Sequence, residues 1–124
     1  MKKVLVVDDQ EVIRMMVRLA LRDRFEVSEA QDATDALRCM NNSRPDAIIL
    51  DVMMPGSMTG FQLCEHIKQD ALLQDIHVVL VTACGQVSDQ ELGRALGADA
   101  YFVKPFSPVA LEHYLRVALI GRET

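Results

Sequence analysis

The sequence predicts an α/β protein, a doubly wound five-stranded parallel sheet with helices on both faces, filling residues 1–124 as one domain. Three observations carry that prediction. Val4–Val7, Ala47–Leu50 and Val78–Val81 are near-continuous aliphatic runs, the pattern of strands buried on both faces of a parallel sheet. Segments of helical period lie between them, so strand and helix alternate strictly, which implies right-handed crossovers. The chain is long enough for one domain with a real core, and it contains no linker, repeat or low-complexity stretch.

In chain order, Val4–Val7 is the first strand. Residues 10–23 form the first helix, with Val12, Ile13, Met16, Leu19 and Ala20 on one face and arginines opposite. Phe25–Glu29 is a less apolar second strand, and residues 33–41 form a helix carrying Ala33, Ala36, Leu37 and Met40. Ala47–Leu50 precedes a helix over 60–69 with Phe61, Leu63, Cys64 and Ile67. After Val78–Val81, residues 88–96 open with Ser88 and Glu91 three positions on, the spacing of a capping box. Ala100–Val103 is the last strand. The final helix starts at Ser107-Pro108, a cap followed by proline at the first helical position, and presents Leu111, Tyr114, Leu115, Ala118 and Leu119 inward.

Composition excludes several functions. Half the residues are apolar and 25% are charged, which is ordinary for a globular chain. A net charge of −5, with basic residues scattered, argues against direct nucleic-acid binding. Cys39, Cys64 and Cys84 form no CxxC pair and have no metal-ligand spacing to His66, His77 or His113, so they read as small hydrophobes in a reducing compartment. The apolar run after Lys2-Lys3 is too short for a secretion signal. No stretch approaches the ~20 apolar residues that span a bilayer. A soluble, cytoplasmic protein is expected.

In an open parallel sheet, ligands bind beyond the carboxyl ends of the strands. There the sequence places Asp8 and Asp9 after the first strand, Asp51 after the third, Thr82 after the fourth and Lys104-Pro105 after the fifth. Three carboxylates brought together repel unless a cation joins them. An all-oxygen set suits a hard divalent ion such as Mg²⁺. A carboxylate can be a nucleophile toward phosphorus, and a metal on one side with Lys104 on the other would stabilise the transferred charge. Taken singly, each residue has a plainer role: Asp8-Asp9 as helix caps, Asp51 as a loop aspartate, Thr82 in a turn, Lys104 on the surface. Together, each at its own strand end, they point to phosphoryl acceptance.

These residues resemble the receiver domains of two-component response regulators over essentially the whole chain. The matching pieces are Val7-Asp8-Asp9, Asp51-Val52-Met53-Met54-Pro55, Val81-Thr82-Ala83 and the run from Gly97 to Phe106 that contains Tyr101, Lys104 and Pro105. The resemblance implies a flavodoxin-like sheet of strand order 2-1-3-4-5 and Asp51 as phosphoacceptor. It implies Asp9, Asp51 and the Met53 carbonyl as ligands of Mg²⁺, with Mn²⁺ able to substitute, and Asp8 acting largely through water. Lys104 would pair with Asp51 and then with the phosphoryl group, Thr82 would move toward it, and Tyr101 would swing inward. A cis Lys104–Pro105 peptide is also implied. So are a sensor histidine kinase or histidine phosphotransfer protein as donor and an output domain or effector as target. The chain would catalyse only its own phosphorylation and dephosphorylation. Its signal would leave through the fourth helix, fifth strand and fifth helix, where Gly85, Gly93 and Gly97 loosen the backbone. The donor would dock near the first helix, beside an exposed Met15.

The chain departs from the family pattern in the loop Pro55–Gly60, one residue longer than usual, where Thr59 replaces the customary aspartate before the glycine. Met53 and Cys84, two positions beyond Asp51 and Thr82, are uncharged, which suggests an intermediate or long-lived phosphorylated state. Met53 also argues against a haloacid-dehalogenase-type phosphatase, which places a second carboxylate there. A flavodoxin-like flavin binder would have a Ser/Thr/Gly-rich first loop in place of Asp8-Asp9. A receiver-like domain that never accepts phosphate would normally lack one of the aspartates or the lysine. The sequence leaves open whether the chain stands alone or begins a longer regulator, and whether phosphorylation drives dimerisation.

Overall fold

A computed structural model of the chain describes residues 1–83 and 87–121. Five parallel strands, β1 (Lys2–Val7), β2 (Phe25–Ala30), β3 (Ala47–Asp51), β4 (His77–Thr82) and β5 (Ala100–Val103), alternate with α1 (Glu11–Leu21), α2 (Ala33–Asn42), α3 (Gly60–Gln69), α4 (Val87–Ala95) and α5 (Pro108–Leu115). The strand order is β2-β1-β3-β4-β5. The doubly wound parallel sheet is therefore present in the expected order.

Successive side chains of a strand point to opposite faces, and β1 divides its residues accordingly. Leu5 and Val7 join a core with Ala36, Met40, Leu63 and Ile67 under α2 and α3. Val4 and Val6 join a second core with Val17, Leu21, Leu111 and Leu115 under α1 and α5. All five residues of β3 are buried, so the central strand reads as an unbroken apolar run ending in Asp51.

Three local expectations need correction. In α1, Val12 and Leu19 are 62% and 49% exposed, while Val17 and Leu21 are buried. The helix has more apolar side chains than one face can bury, and the inward stripe is rotated from the expected one. Ala118 is exposed where the chain beyond Leu115 continues as a π-helical turn, Arg116–Ile120, whose i→i+5 bonding puts more residues in each turn and breaks the i, i+3, i+4 register of α5. Ser88 is the second residue of α4, which begins at Val87, so it does not stand at the cap position. Cys84 and Gly85 lie outside the described residues. Among the described residues, no helix is long and apolar enough to cross a membrane.

Candidate functional site

The register brings the ends of β1 and β3 side by side, Val7 pairing with Leu50, so the residues that follow, Asp8 and Asp51, are neighbours. Asp8 is 2% exposed. Its N–H donates to the Ala30 carbonyl at 3.1 Å, continuing the strand. Its Oδ1 accepts from the Gln10 N–H at 2.9 Å, closing the turn into α1. Asp9, next in the chain, is exposed.

Asp51 is 5% exposed, and its Oδ1 accepts from the Met53 N–H at 3.2 Å. The backbone after it is held by the Val52 N–H on the Val81 carbonyl, 2.8 Å, and by the Gly60 N–H on the Val52 carbonyl, 2.9 Å. Gly60 allows this closeness: a Cβ there would stand 2.2 Å from the Asp51 carbonyl oxygen and 2.7 Å from Val52 Cα. Thr59 caps α3. Its Oγ1 accepts from the Gln62 N–H at 3.2 Å, and Gln62 Oε1 accepts from the Thr59 N–H at 2.9 Å, a reciprocal capping box. Before this cap, Gly56 takes a positive φ of 105°.

Lys104 follows β5, and its N–H donates to the Thr82 carbonyl at 2.6 Å. The Lys104–Pro105 peptide is cis. Lys104 Nζ lies 2.9 Å from Asp8 Oδ2 and 3.6 Å from Asp51 Oδ2, so it reaches both carboxylates and stands closer to Asp8. One oxygen from each of Asp8, Asp9 and Asp51 lies within 4.8 Å of the others.

This crowding has an electrostatic consequence. Burial, and next the Asp8 charge, push the Asp51 carboxyl up to about 6; Asp9 adds to the rise, while Lys104 and the Met53 N–H oppose it. One ammonium does not neutralise three carboxylates, and a hard divalent cation would supply the missing charge. The donor set fits such an ion, being all oxygen, preassembled and open on the Asp9 side. Asp9 and Asp51, with Asp8 behind them, are the residues able to hold it.

Thr82 ends β4 and is 1% exposed. Tyr101 of β5 pairs with Leu80 of β4; it is half-buried, and its ring lies against Gly93 of α4. A Cβ added at Gly93 would meet Tyr101 Cδ2 at 3.3 Å and Leu80 Cδ1 at 2.9 Å. The Met53 side chain is 72% exposed above the site. The structure thus brings Asp8, Asp9, Asp51, Thr82 and Lys104 to one edge, with Tyr101 two residues before Val103, the partner of Thr82 in the sheet. Sequence reasoning missed Arg14, whose Nη1 donates to the Asp8 carbonyl at 2.7 Å. The available signal was its place in the first turns of the helix that Asp8-Asp9 opens.

Residues 4–116 match the family model described as response regulator receiver domain. The phosphate regulon transcriptional regulatory protein PhoB of Escherichia coli is 41% identical over 111 residues, covering 89% of this chain and 48% of that protein. The probable transcriptional regulator ycf27 of Guillardia theta is 42% identical over 120 residues, covering 95% of this chain and 45% of that protein. The chain spans about half the length of these curated relatives. Among solved structures, the chemotaxis protein CheY4 of Vibrio cholerae superposes with a TM-score of 0.88 at 37% identity, covering 96% of this chain and 99% of that one.

Proposed function

This chain belongs to the response regulator receiver domain family, and from that premise we propose that its residues 1–124 act as one signalling switch that accepts a phosphoryl group on Asp51. The observation that carries the reading is a buried carboxylate at the end of the central strand, flanked by two more carboxylates and one ammonium, with its pKa pushed up to about 6. Such perturbation by burial and like charge marks functional sites.

In the forward step, an Asp51 carboxylate oxygen attacks phosphorus on a phosphohistidine of a sensor kinase or phosphotransfer protein. A P–O bond forms, the P–N bond breaks, and the imidazole leaves with a proton. The Met53 N–H holds the other Asp51 oxygen and fixes the carboxylate's orientation. Mg²⁺ bound through Asp9, Asp51 and the Met53 carbonyl, with Asp8 acting through water, would neutralise charge on the transferred group; Mn²⁺ would serve in its place. Lys104, poised between Asp8 and Asp51, turns its ammonium to a phosphoryl oxygen. The Thr82 hydroxyl follows, and Tyr101 moves into the space behind it. The phosphoryl group adds about two negative charges, and the response is a shift between two conformations of the α4–β5–α5 surface. Because the Tyr101 ring packs on Gly93 of α4, its movement is transmitted to that helix.

The donor docks at α1, where Val12 and Met15 are exposed, beside a hollow lined by Ile13, Met16, Lys104, Pro105 and Phe106. The target is an output domain or a separate effector; the acidic net charge argues against direct nucleic-acid contact by this domain.

The test is incubation with Mg²⁺ and acetyl phosphate, read by intact mass beside an Asp51→Asn control. Gain of one phosphoryl group, lost in the control and on chelation, is expected. No gain under any condition would overturn the assignment and leave a phosphate-independent docking module.

A further inference from the structure

One charged side chain outside the acidic cluster reaches into the same loop. Arg14, on α1 and 16% exposed, donates from Nε to Glu29 Oε1 at 3.1 Å and from Nη1 to the Asp8 carbonyl at 2.7 Å. The second oxygen of Glu29 accepts from Arg18 Nη1 at 2.6 Å. The guanidinium therefore ties the β1–α1 loop to the end of β2, a two-acceptor task that its rigid fork suits.

We propose that Arg14 is a positioning residue for divalent-cation binding, fixing the peptide between Asp8 and Asp9 and so the direction in which Asp9 projects. The inference rests on the reading of the acidic cluster as a cation site. Asp8 is held at four points: its N–H by Ala30, Oδ1 by Gln10, Oδ2 by Lys104 and its carbonyl by Arg14. The first three fix the strand end and the side chain, whereas the fourth fixes the peptide plane leading into Asp9. Asp9 is exposed and no side-chain hydrogen bond to its carboxylate forms among the described residues, so the peptide leading into it sets the range of directions its rotamers can reach. Mg²⁺ demands near-ideal octahedral geometry at about 2.0–2.1 Å, which a tilted peptide would spoil. Groups that orient metal ligands from behind typically change affinity about 10–100-fold when removed.

Charge and positioning predict opposite signs. Removing a cation near three carboxylates would tighten cation binding by Coulomb's law alone, although Glu29 already offsets most of Arg14's charge. Loss of the carbonyl anchor would weaken it.

The experiment measures Mn²⁺ binding by the loss of its free electron-paramagnetic signal. Alongside, the Mg²⁺ concentration for half-maximal phosphorylation by acetyl phosphate is measured in wild type, Arg14→Met and Arg18→Met. Arg18 touches the same Glu29 but not Asp8, so it controls for charge and for the helix. Arg14→Met is expected to bind Mn²⁺ about tenfold more weakly and to raise the Mg²⁺ half-saturation in step, with the plateau rate kept, while Arg18→Met stays within about twofold of wild type. If Arg14→Met does not fold, Arg14→Lys replaces it with the same expected shift, because one ammonium does not span both acceptors. Unchanged or tighter binding in the Arg14 variant, or an equal shift in Arg18→Met, overturns the proposal. A wild type that binds no divalent ion overturns the cation site itself, a different result from a wild type that binds and a variant that binds equally.

Discussion

At the amino-terminal edge of the sheet, Lys68 Nζ meets three acceptors, the Gln74 carbonyl at 3.2 Å, the Ile76 carbonyl at 2.8 Å and Asp99 Oδ2 at 3.0 Å. At the carboxyl-terminal edge, Asp8, Asp9 and Asp51 crowd together, and Lys104 reaches Asp8 and Asp51. The contrast extends to the neighbours. Asp99 Oδ2 also accepts from the Val78 N–H at 2.8 Å, and Asp46 Oδ2 accepts from the Lys3 N–H at 2.7 Å. Burial holds the His77 imidazole below its ordinary pKa, and its Nε2 sits 2.7 Å from the Tyr114 hydroxyl. One edge has its polar groups matched to partners. The other keeps an excess of like charge, which would suit the proposed cation and phosphoryl chemistry at a cost in stability. Local strain of this kind concentrates at functional sites.

The largest expected effect tests how tightly the charged edge is built. Gly60→Ala would drive a methyl into the Asp51 carbonyl and Val52 Cα, both backbone, which have little room to yield. Overpacking against main chain should cost about 3 kcal/mol, read as a lower urea midpoint. The same displacement should reduce phosphoryl uptake. Retained stability and uptake would mean the loop gives way and the edge is softer than its geometry implies.

Asp51→Asn should change stability in the opposite direction. In the folded chain the Asp51 carboxyl titrates at about 6, above its ordinary 3.8. Between those values the folded state binds more protons than the unfolded one, so this group lowers stability as pH rises through about 4 to 6. Asparagine has no such titration. In the absence of divalent ions, the variant should match wild type near pH 4 and exceed it by about 2 kcal/mol at pH 7. A difference that does not vary with pH would mean the acidic cluster carries no stored repulsion. With Mg²⁺ present, proton and cation compete for the same oxygens, so half-saturation should rise as pH falls below about 6, by up to tenfold per unit.

Both of these effects sit at residues whose placement the sequence disclosed unevenly. The central strands were legible because buried parallel strands leave unbroken aliphatic runs, and Asp8, Asp9, Asp51, Thr82 and Lys104 were legible because each stands at or just past the carboxyl end of an expected strand. The face of α1 was misjudged because eight of its eleven residues, Val12, Ile13, Met15, Met16, Val17, Leu19, Ala20 and Leu21, are apolar, and periodicity alone does not choose among overlapping stripes. The π-helical turn after Leu115 leaves no composition signal. Gly60 was recognised as a helix opening, but its need to admit the Asp51 backbone depends on a tertiary contact. The same holds for Lys104, whose preference for Asp8 over Asp51 is a matter of fractions of an ångström.

Lys68→Met should give the smallest effect and define where the contrast ends. Methionine keeps the stem that packs against Gly97, where an added Cβ would meet Lys68 Cγ at 2.9 Å, and removes the ammonium. Asp99 then loses its ion pair but keeps the Val78 N–H, and with its side chain 35% exposed, water replaces much of the rest. The cost should be about 1 kcal/mol, seen as a modest fall in Tm. Because α3 carries this group to the edge away from Asp51, divalent half-saturation and the rate of phosphoryl uptake should stay at wild-type values. A threefold or larger shift in either would show that the satisfied edge tunes the strained one, and the two would have to be treated as a single coupled unit.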